Sequence, residues 1–196
     1  MRKVIMPNRI SIDGMFASLN EHSFGMDWFV PDPEVEKFVH TLGSPGDQAP
    51  DTLLLGAATF QGFEAAWVPF LTNPQAPAPM RAIAKELTQM VKVVFSHRIS
   101  NPTWANTKVT SQPADDYVRR LKGEPGADIM IMGSGTVVQA LATAGLIDHY
   151  LFIVTPVIAG PGKPLFQGVA SQKLRFVESK AFASGNVVLH YQGATQ

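Results

Sequence analysis

The chain reads as one α/β domain spanning 1–196, in which helices flank a mostly parallel central sheet and a C-terminal antiparallel hairpin closes it. Three observations carry that reading. Short apolar runs alternate with segments of helical spacing from residue 2 to residue 158, the order that lays strands side by side in parallel with helices as crossovers. Ile129, Met130, Ile131 and Met132 are apolar without a break, as a strand covered on both faces must be, and they run straight into the turn Gly133-Ser134-Gly135. Segments 174–183 and 186–191 alternate in polarity about Ser184-Gly185, the pattern of a hairpin.

The elements follow in order. Residues 2–12 form a first strand that the Asp13-Gly14 turn ends. Helical spacing through Val35, Phe38, Val39 and Leu42 predicts a helix over 33–42, and 43–50 (GSPGDQAP) is a surface loop. Residues 51–55 are a short buried strand, and Gly56 opens a helix carrying Thr59, Phe60 and Phe63. The prolines within 73–79 make a loop inside one domain, because strand and helix signals resume on both sides. A helix over 80–90, a strand over 91–95 and a short strand centred on 108–110 come next. Pro113 opens a helix to Leu121 with Asp115 and Asp116 near its positive end. Val137, Val138, Leu141 and Leu146 mark a helix after the glycine turn, and 150–158 is a long apolar strand.

Composition narrows the function. Charged residues make up 16% of the chain, against roughly 25% in typical domains. That thin charge, with the apolar strands near 150–158 and 174–191 leaving an edge to cover, predicts a homodimer. Net charge is zero, so no field favours nucleic acid or an anionic membrane. Arg119, Arg120 and Lys122 form one tight basic group, read as a solvated helix face. Without cysteine there is no disulfide framework, thiolate zinc site or cysteine nucleophile, and the scattered histidines lack metal-ligand spacing. No apolar run approaches the ~20 residues of a membrane span, and Pro7, Asn8, Arg9 and Asp13 break the N-terminal apolar stretch, so a cytoplasmic location is expected.

The turn Gly133-Ser134-Gly135 leads into Thr136 and the first turn of a helix, where unpaired N–H groups favour an anion such as a diphosphate. The same residues serve equally as a plain strand-to-helix connection. A Rossmann fingerprint is excluded, because Val138 stands where its third glycine belongs. Gly56 and Thr59 repeat the arrangement, so two helix N-termini share one diphosphate if their strands are neighbours. Ser96, His97 and Arg98 follow the strand VKVVF; a guanidinium suits a phosphate, and a solvated loop arginine is the other reading. Asp13 is a turn residue or a carboxylate at the cleft.

Four blocks in this order, SIDG at 11–14, LLLGAATFQGF at 53–63, KVVFSHRIS at 92–100 and the segment from Gly133 to PVIAGPGKPLF, resemble the dihydrofolate reductase fold. They are most similar to the bacterial reductases that include the C-terminal reductase domain of bifunctional riboflavin biosynthesis proteins. The resemblance implies NADPH as cofactor, with Gly56, Thr59, Gly133, Ser134, Gly135 and Thr136 at its diphosphate and Ser96, His97 and Arg98 at its 2′-phosphate. It places Asp13 beside the nicotinamide and substrate. Asp27-Trp28 opens a WxxP spacing like that of dihydrofolate reductases, so Asp27 and Trp28 join Asp13 as catalytic candidates, with Asp32 and Glu34 close by. The chain departs from the family where Ala57 replaces the arginine of GRxT, and where Pro33 takes the place of the catalytic carboxylate. It also lacks the pattern DxPxLxxR of the riboflavin-pathway reductase. Phe16, Phe24, Trp28, Phe63 and Trp67 are candidate walls of an aromatic pocket, and Lys163 a candidate anion ligand.

The function expected is hydride transfer from NADPH to a C=N or C=O bond of a small flat heterocycle, pterin-like or pyrimidine-like. The alternatives are a non-catalytic nucleotide- or pterin-binding protein that retains the cleft, and a structural dimer whose cleft is vestigial. Valine at Gly133 or Gly135 is expected to block dinucleotide binding and spare the fold.

Overall fold

The computed structural model describes residues 1–20, 25, 27–43 and 49–193, so residues 44–48 of the expected surface loop lie outside them. In chain order the elements are β1 (Val4–Ser11), β2 (Met15–Ser18), α1 (Pro33–Leu42), β3 (Thr52–Gly56), α2 (Ala57–Thr72), α3 (Ala78–Gln89), β4 (Val91–Phe95), β5 (Thr107–Thr110), α4 (Ala114–Gly123), β6 (Ile129–Ile131), α5 (Gly135–Thr143), β7 (His149–Thr155), β8 (Gly162–Pro164), β9 (Arg175–Ala181) and β10 (Val187–Gln192). The large sheet has the order β5-β4-β3-β6-β1-β7-β10-β9. Its first six strands run parallel; β10 returns antiparallel to β7, and β9 pairs antiparallel with β10 to complete it. The carboxyl ends of six strands therefore share one edge, the place where open α/β sheets bind ligands.

Strand periodicity sorts the apolar residues to two faces. Val4, Met6, Leu54, Ile129 and Ile131 pack under Val118, Val137 and Leu141 of α4 and α5. On the opposite face, Leu53, Leu55 and Val94 meet Phe60 of α2 and Leu87 of α3. Ile5, Leu151, Ile153 and Val188 meet Val35 and Val39 of α1 on that same side. Helix α1 starts where it does because the Asp32 carboxylate accepts the N–H groups of Glu34 (3.0 Å) and Val35, with Pro33 in the first turn. Pro7, which has no N–H, lies in the half of β1 that pairs with β7 alone, since β6 accompanies β1 only at Val4 and Ile5.

Four expectations need correction. The loop before α3 ends at Pro77, because Pro79 fits the first helical turn, where its missing N–H costs nothing. Strand β7 stops at Thr155, and Ile158 beyond it is 76% exposed. Nor is β7 at an edge: β1 covers one side and β10 the other, leaving β9 outermost, guarded by Arg175, Glu178 and Lys180. Lys122 is not solvated; it is buried and its ammonium donates to Asp148 at 2.6 Å and to the Leu146 carbonyl. A second small sheet, β2 with β8, was not foreseen. Among the described residues no helix is long and apolar enough to cross a membrane.

Lys92, the second residue of β4, is fully buried and closes the end of α3. Its ammonium donates to the carbonyls of Leu87 (2.9 Å), Thr88 (3.1 Å) and Met90 (2.8 Å) and lies 4.7 Å above the Trp104 ring. These are the carbonyls a helix C-terminus leaves without partners. Lys92→Met keeps the stem and strands the carbonyls, so urea denaturation is expected to show a loss of roughly 2–3 kcal/mol; an unchanged midpoint contradicts the capping role.

Candidate functional site

Strands β3 and β6 are neighbours, paired at Thr52↔Ile129, Leu53↔Met130 and Leu54↔Ile131. Helices α2 and α5 leave them toward opposite faces, so their N-termini meet over the shared edge. The turn into α5 places two residues in succession in the left-handed region, Gly133 at φ 60° and Ser134 at φ 57°. Glycine accepts that conformation freely; serine does not. Side-chain bonds from three other elements hold it. The Gly133 N–H donates to Asn8 Oδ1 (2.9 Å), and Asn8 Nδ2 returns a bond to the Gly133 carbonyl (3.4 Å). The Ser134 N–H donates to Thr59 Oγ1 (3.2 Å), while Ser134 Oγ accepts the Gly56 N–H (2.8 Å). Asn8 belongs to this site and was missed, although a buried carboxamide in a central strand is the kind of residue that marks one.

With the N–H groups of Gly56, Gly133 and Ser134 engaged internally, and that of Ala57 continuing the β3–β4 ladder beyond the pair Gly56↔Phe95, the first-turn donors facing the edge are those of Ala58 in α2 and of Gly135 and Thr136 in α5. The exposed Thr136 hydroxyl stands by Gly56, since a Cβ built there would lie 3.6 Å from it. Two positive helix ends side by side suit a diphosphate, and a cofactor carrying one fits these residues. Glycine is required at 135 for another reason than expected: a Cβ there would lie 2.5 Å from the Phe16 ring. Valine at Gly135 displaces that ring, and at Gly133 it meets both positive φ and Thr59 at 3.1 Å, so neither variant spares the fold as expected.

The other candidates lie along the same edge. Ser96, His97 and Arg98 follow β4, next to β3. Ser96 Oγ accepts the N–H groups of Arg98 (3.0 Å) and Ile99 (3.1 Å), a local turn that leaves the His97 and Arg98 side chains exposed. Asp13, past the end of β1, accepts the N–H groups of Ala159 and Gly160, each at 2.9 Å, and so ties the β7–β8 loop to β1. A hydrogen bond from the Ser11 hydroxyl and these loop N–H groups hold its pKa down at about 2. Asp27 accepts from Ser18 Oγ, and Trp28 Nε1 is buried with no partner among the described residues.

Asp32 caps α1 and accepts from Ser184, the bond that most lowers its pKa. Glu34 is exposed in the first turn of that helix. The aromatic candidates do not form one pocket. Phe63 and Trp67 pack into the α2–α3 core, Phe16 lies on Gly135, and Phe24 is outside the described residues. Lys163 is exposed on β8.

The RibD C-terminal domain family model matches residues 2–188, and the chain belongs to that family. It is 26% identical to the uncharacterized protein YyaP of Bacillus subtilis (strain 168), over 98% of this chain and 96% of that one. Two solved structures share the fold. A diaminohydroxyphosphoribosylaminopyrimidine deaminase/5-amino-6-(5-phosphoribosylamino)uracil reductase from Thermotoga maritima superposes at TM-score 0.66 with 15% identity, over 98% of this chain and 57% of its own. A pyrimidine reductase-like protein from Corynebacterium diphtheriae superposes at 0.61 with 16% identity, over 100% and 93%. The family supports a pyrimidine reductase-like function.

The Asp13 clamp has a definite pH signature. Its folded pKa lies below the ordinary aspartate value of ~3.9, so its contribution to stability is complete above that value and is lost as pH falls through about 2. An NMR titration is expected to show the Asp13 carboxyl and the Ala159 and Gly160 amides moving together with a midpoint of about 2. A midpoint near ~3.9 contradicts the clamp.

Proposed function

We propose that this protein is an NADPH-dependent reductase of a small flat heterocycle, with the diphosphate on the paired N-termini of α2 and α5. The convergence of two helix starts with unpaired N–H groups, at the carboxyl edge of a parallel sheet, is the observation that supports it most. Ala58, Gly135 and Thr136 would hold the diphosphate through backbone N–H groups. Arg98, exposed after the neighbouring strand, would take the 2′-phosphate. When bound, the nicotinamide supplies the hydride.

The chain's own part is binding, orientation and exclusion of water. Asn8, Thr59 and Ser134 fix the turn, and Asp13 fixes the β7–β8 loop against β1. Reduction of a C=N or C=O bond also consumes a proton. Asp13 and Asp32 are both held ionised, so in this reading they position backbone and give up no proton at neutral pH. Asp27, exposed beside Trp28, is then the carboxylate that orients substrate, with water as the proton source.

The same two carboxylates support a second reading, a nucleotide-binding protein without turnover. Oxidation of NADPH with any pterin-like or pyrimidine-like substrate separates the two. A homodimer remains expected from the thinly charged surface, and light scattering that gives one chain's mass removes it.

Cofactor preference tests the reductase reading directly. A charge-assisted bond is worth about 1.5–3 kcal/mol, roughly a tenfold to hundredfold preference for NADPH over NADH. Arg98→Ala is expected to lower NADPH affinity by that factor and leave NADH affinity unchanged. Equal losses confine Arg98 to loop support, and absence of any preference in the parent protein removes the NADPH assignment.

A further inference from the structure

Two imidazoles meet inside the sheet, away from the candidate site. His149 opens β7 and His190 lies in β10; both are buried, and His149 Nδ1 is 2.9 Å from His190 Nε2. The ladder brings them together. His190 pairs with Leu151 and His149 with Gln192, so the two rings are diagonal neighbours on one face, with centroids 5.2 Å apart. Leu151 and Val188 on that face belong to the core that α1 covers. From β9, Glu178 stands opposite His190, its Oε1 3.6 Å from Nδ1, a buried nitrogen with no hydrogen-bond partner.

Proton counting restricts what the pair can hold. One hydrogen lies between the two facing nitrogens, so one of them must be bare. With both rings neutral, His149 Nδ1–H donates to His190 Nε2 and His190 Nδ1–H points at Glu178; the opposite tautomers set a bare nitrogen against a carboxylate. A first added proton fits. His190 then carries both its hydrogens, one toward Glu178 and one toward His149, whose own hydrogen moves to Nε2. A second added proton does not fit, because it sets N–H against N–H and two charges in one buried place.

The surroundings do not relieve this. Burial is the largest cause that lowers the pKa of each ring below the usual histidine value, and for His149 the neighbouring His190 comes next. Asp148 and Asp128 favour charge on His149 and Lys3 opposes it; Glu178 favours charge on His190 and Arg175 opposes it. Asp148 already faces Lys122 at 2.6 Å and Lys3 at 3.7 Å. Among the described residues, α1 gives this core only Val35, Phe38, Val39 and Leu42; its Glu36 pairs with Arg9, its His40 with Glu86, and Glu34 and Lys37 are exposed. Lys180 of β9, on the same face, lies over the Phe38 and Phe182 rings.

We propose that Glu178, His190 and His149 form an acid-released latch, which holds the β9–β10 hairpin on β7 with at most one imidazole charged and frees it when the second takes a proton. An opened hairpin has no such restriction, and its imidazoles protonate near the ordinary value of ~6.5. The latch is therefore fully closed above that pH and weakens below it, by about tenfold in its closing constant per pH unit for one excluded proton. Its release reaches α1, because Ser184 in the turn before β10 donates to the Asp32 cap. None of this depends on the reductase reading.

Imidazole shifts and amide exchange of the full chain, followed by NMR from about pH 7.5 to about pH 4.5, test it across the histidine range. The pair is expected to take one proton with the hairpin closed. Uptake of the second is expected to coincide with loss of exchange protection in β9 and β10 while β3 and β6 keep theirs. Two protons taken with protection retained, or protection lost from β3 and β10 together, overturns the latch. His149→Asn supplies a second test, since its amide keeps a donor near the place of Nδ1 and does not titrate. Protection of the hairpin in this variant is expected to lose one proton's worth of pH dependence, about tenfold per pH unit below ~6. A constant loss of protection at every pH, with the slope unchanged, assigns the pair to packing alone and overturns the proposal.

Discussion

A left-handed serine governs the candidate site. Ser134 stands at φ 57°, a region that a residue with a Cβ enters only when its surroundings oblige it, and Gly133 before it has the same hand. Asn8 from β1 makes two bonds to this turn, and Thr59 from α2 and the Gly56 N–H from the end of β3 make one each. Removing any one leaves a buried polar group unpaired and relaxes the start of α5. The aim of two helix N-termini at one place is therefore a property of three strands and two helices together.

That economy separates two jobs which a glycine-rich turn is usually assumed to combine. The N–H groups of Gly133, Ser134 and Gly56 build the turn, and those of Gly135, Thr136 and Ala58 are left to meet a ligand. Asp13 has an analogous place on the neighbouring strand, where its depressed pKa is the mark of an anion accepting loop N–H groups. Asp32 does likewise at the start of α1. Carboxylates that resemble a family's catalytic acids thus serve as backbone staples in this chain. The buried groups without partners are found instead around β1, β7 and β10.

Helix α1 is legible in the sequence to the residue because Asp32, Pro33 and the apolar spacing from Val35 all give the same start. The glycine turn is legible as a turn, and its pairing with Gly56 follows once β3 and β6 are neighbours. Strand order is a different matter, because no window of residues says that β7 lies inside the sheet. The β2–β8 pair joins two short segments far apart in the chain, each too weak in pattern to announce a strand. Asp13 carries a local turn signal, but the loop N–H groups it accepts come from a distant segment. Asn8 and Arg9 were visible as polar residues in β1; what they bond to was not.

The central claim is that two helix N-termini jointly hold a dinucleotide diphosphate. Amide chemical shifts of the full chain, recorded as NADPH is added, test it residue by residue. The account predicts the largest shifts at Ala58, Gly135 and Thr136, with smaller ones at Gly56, Ala57, Gly133 and Ser134, whose N–H groups already have partners. Saturable binding whose shifts fall elsewhere, or no binding at all, contradicts it.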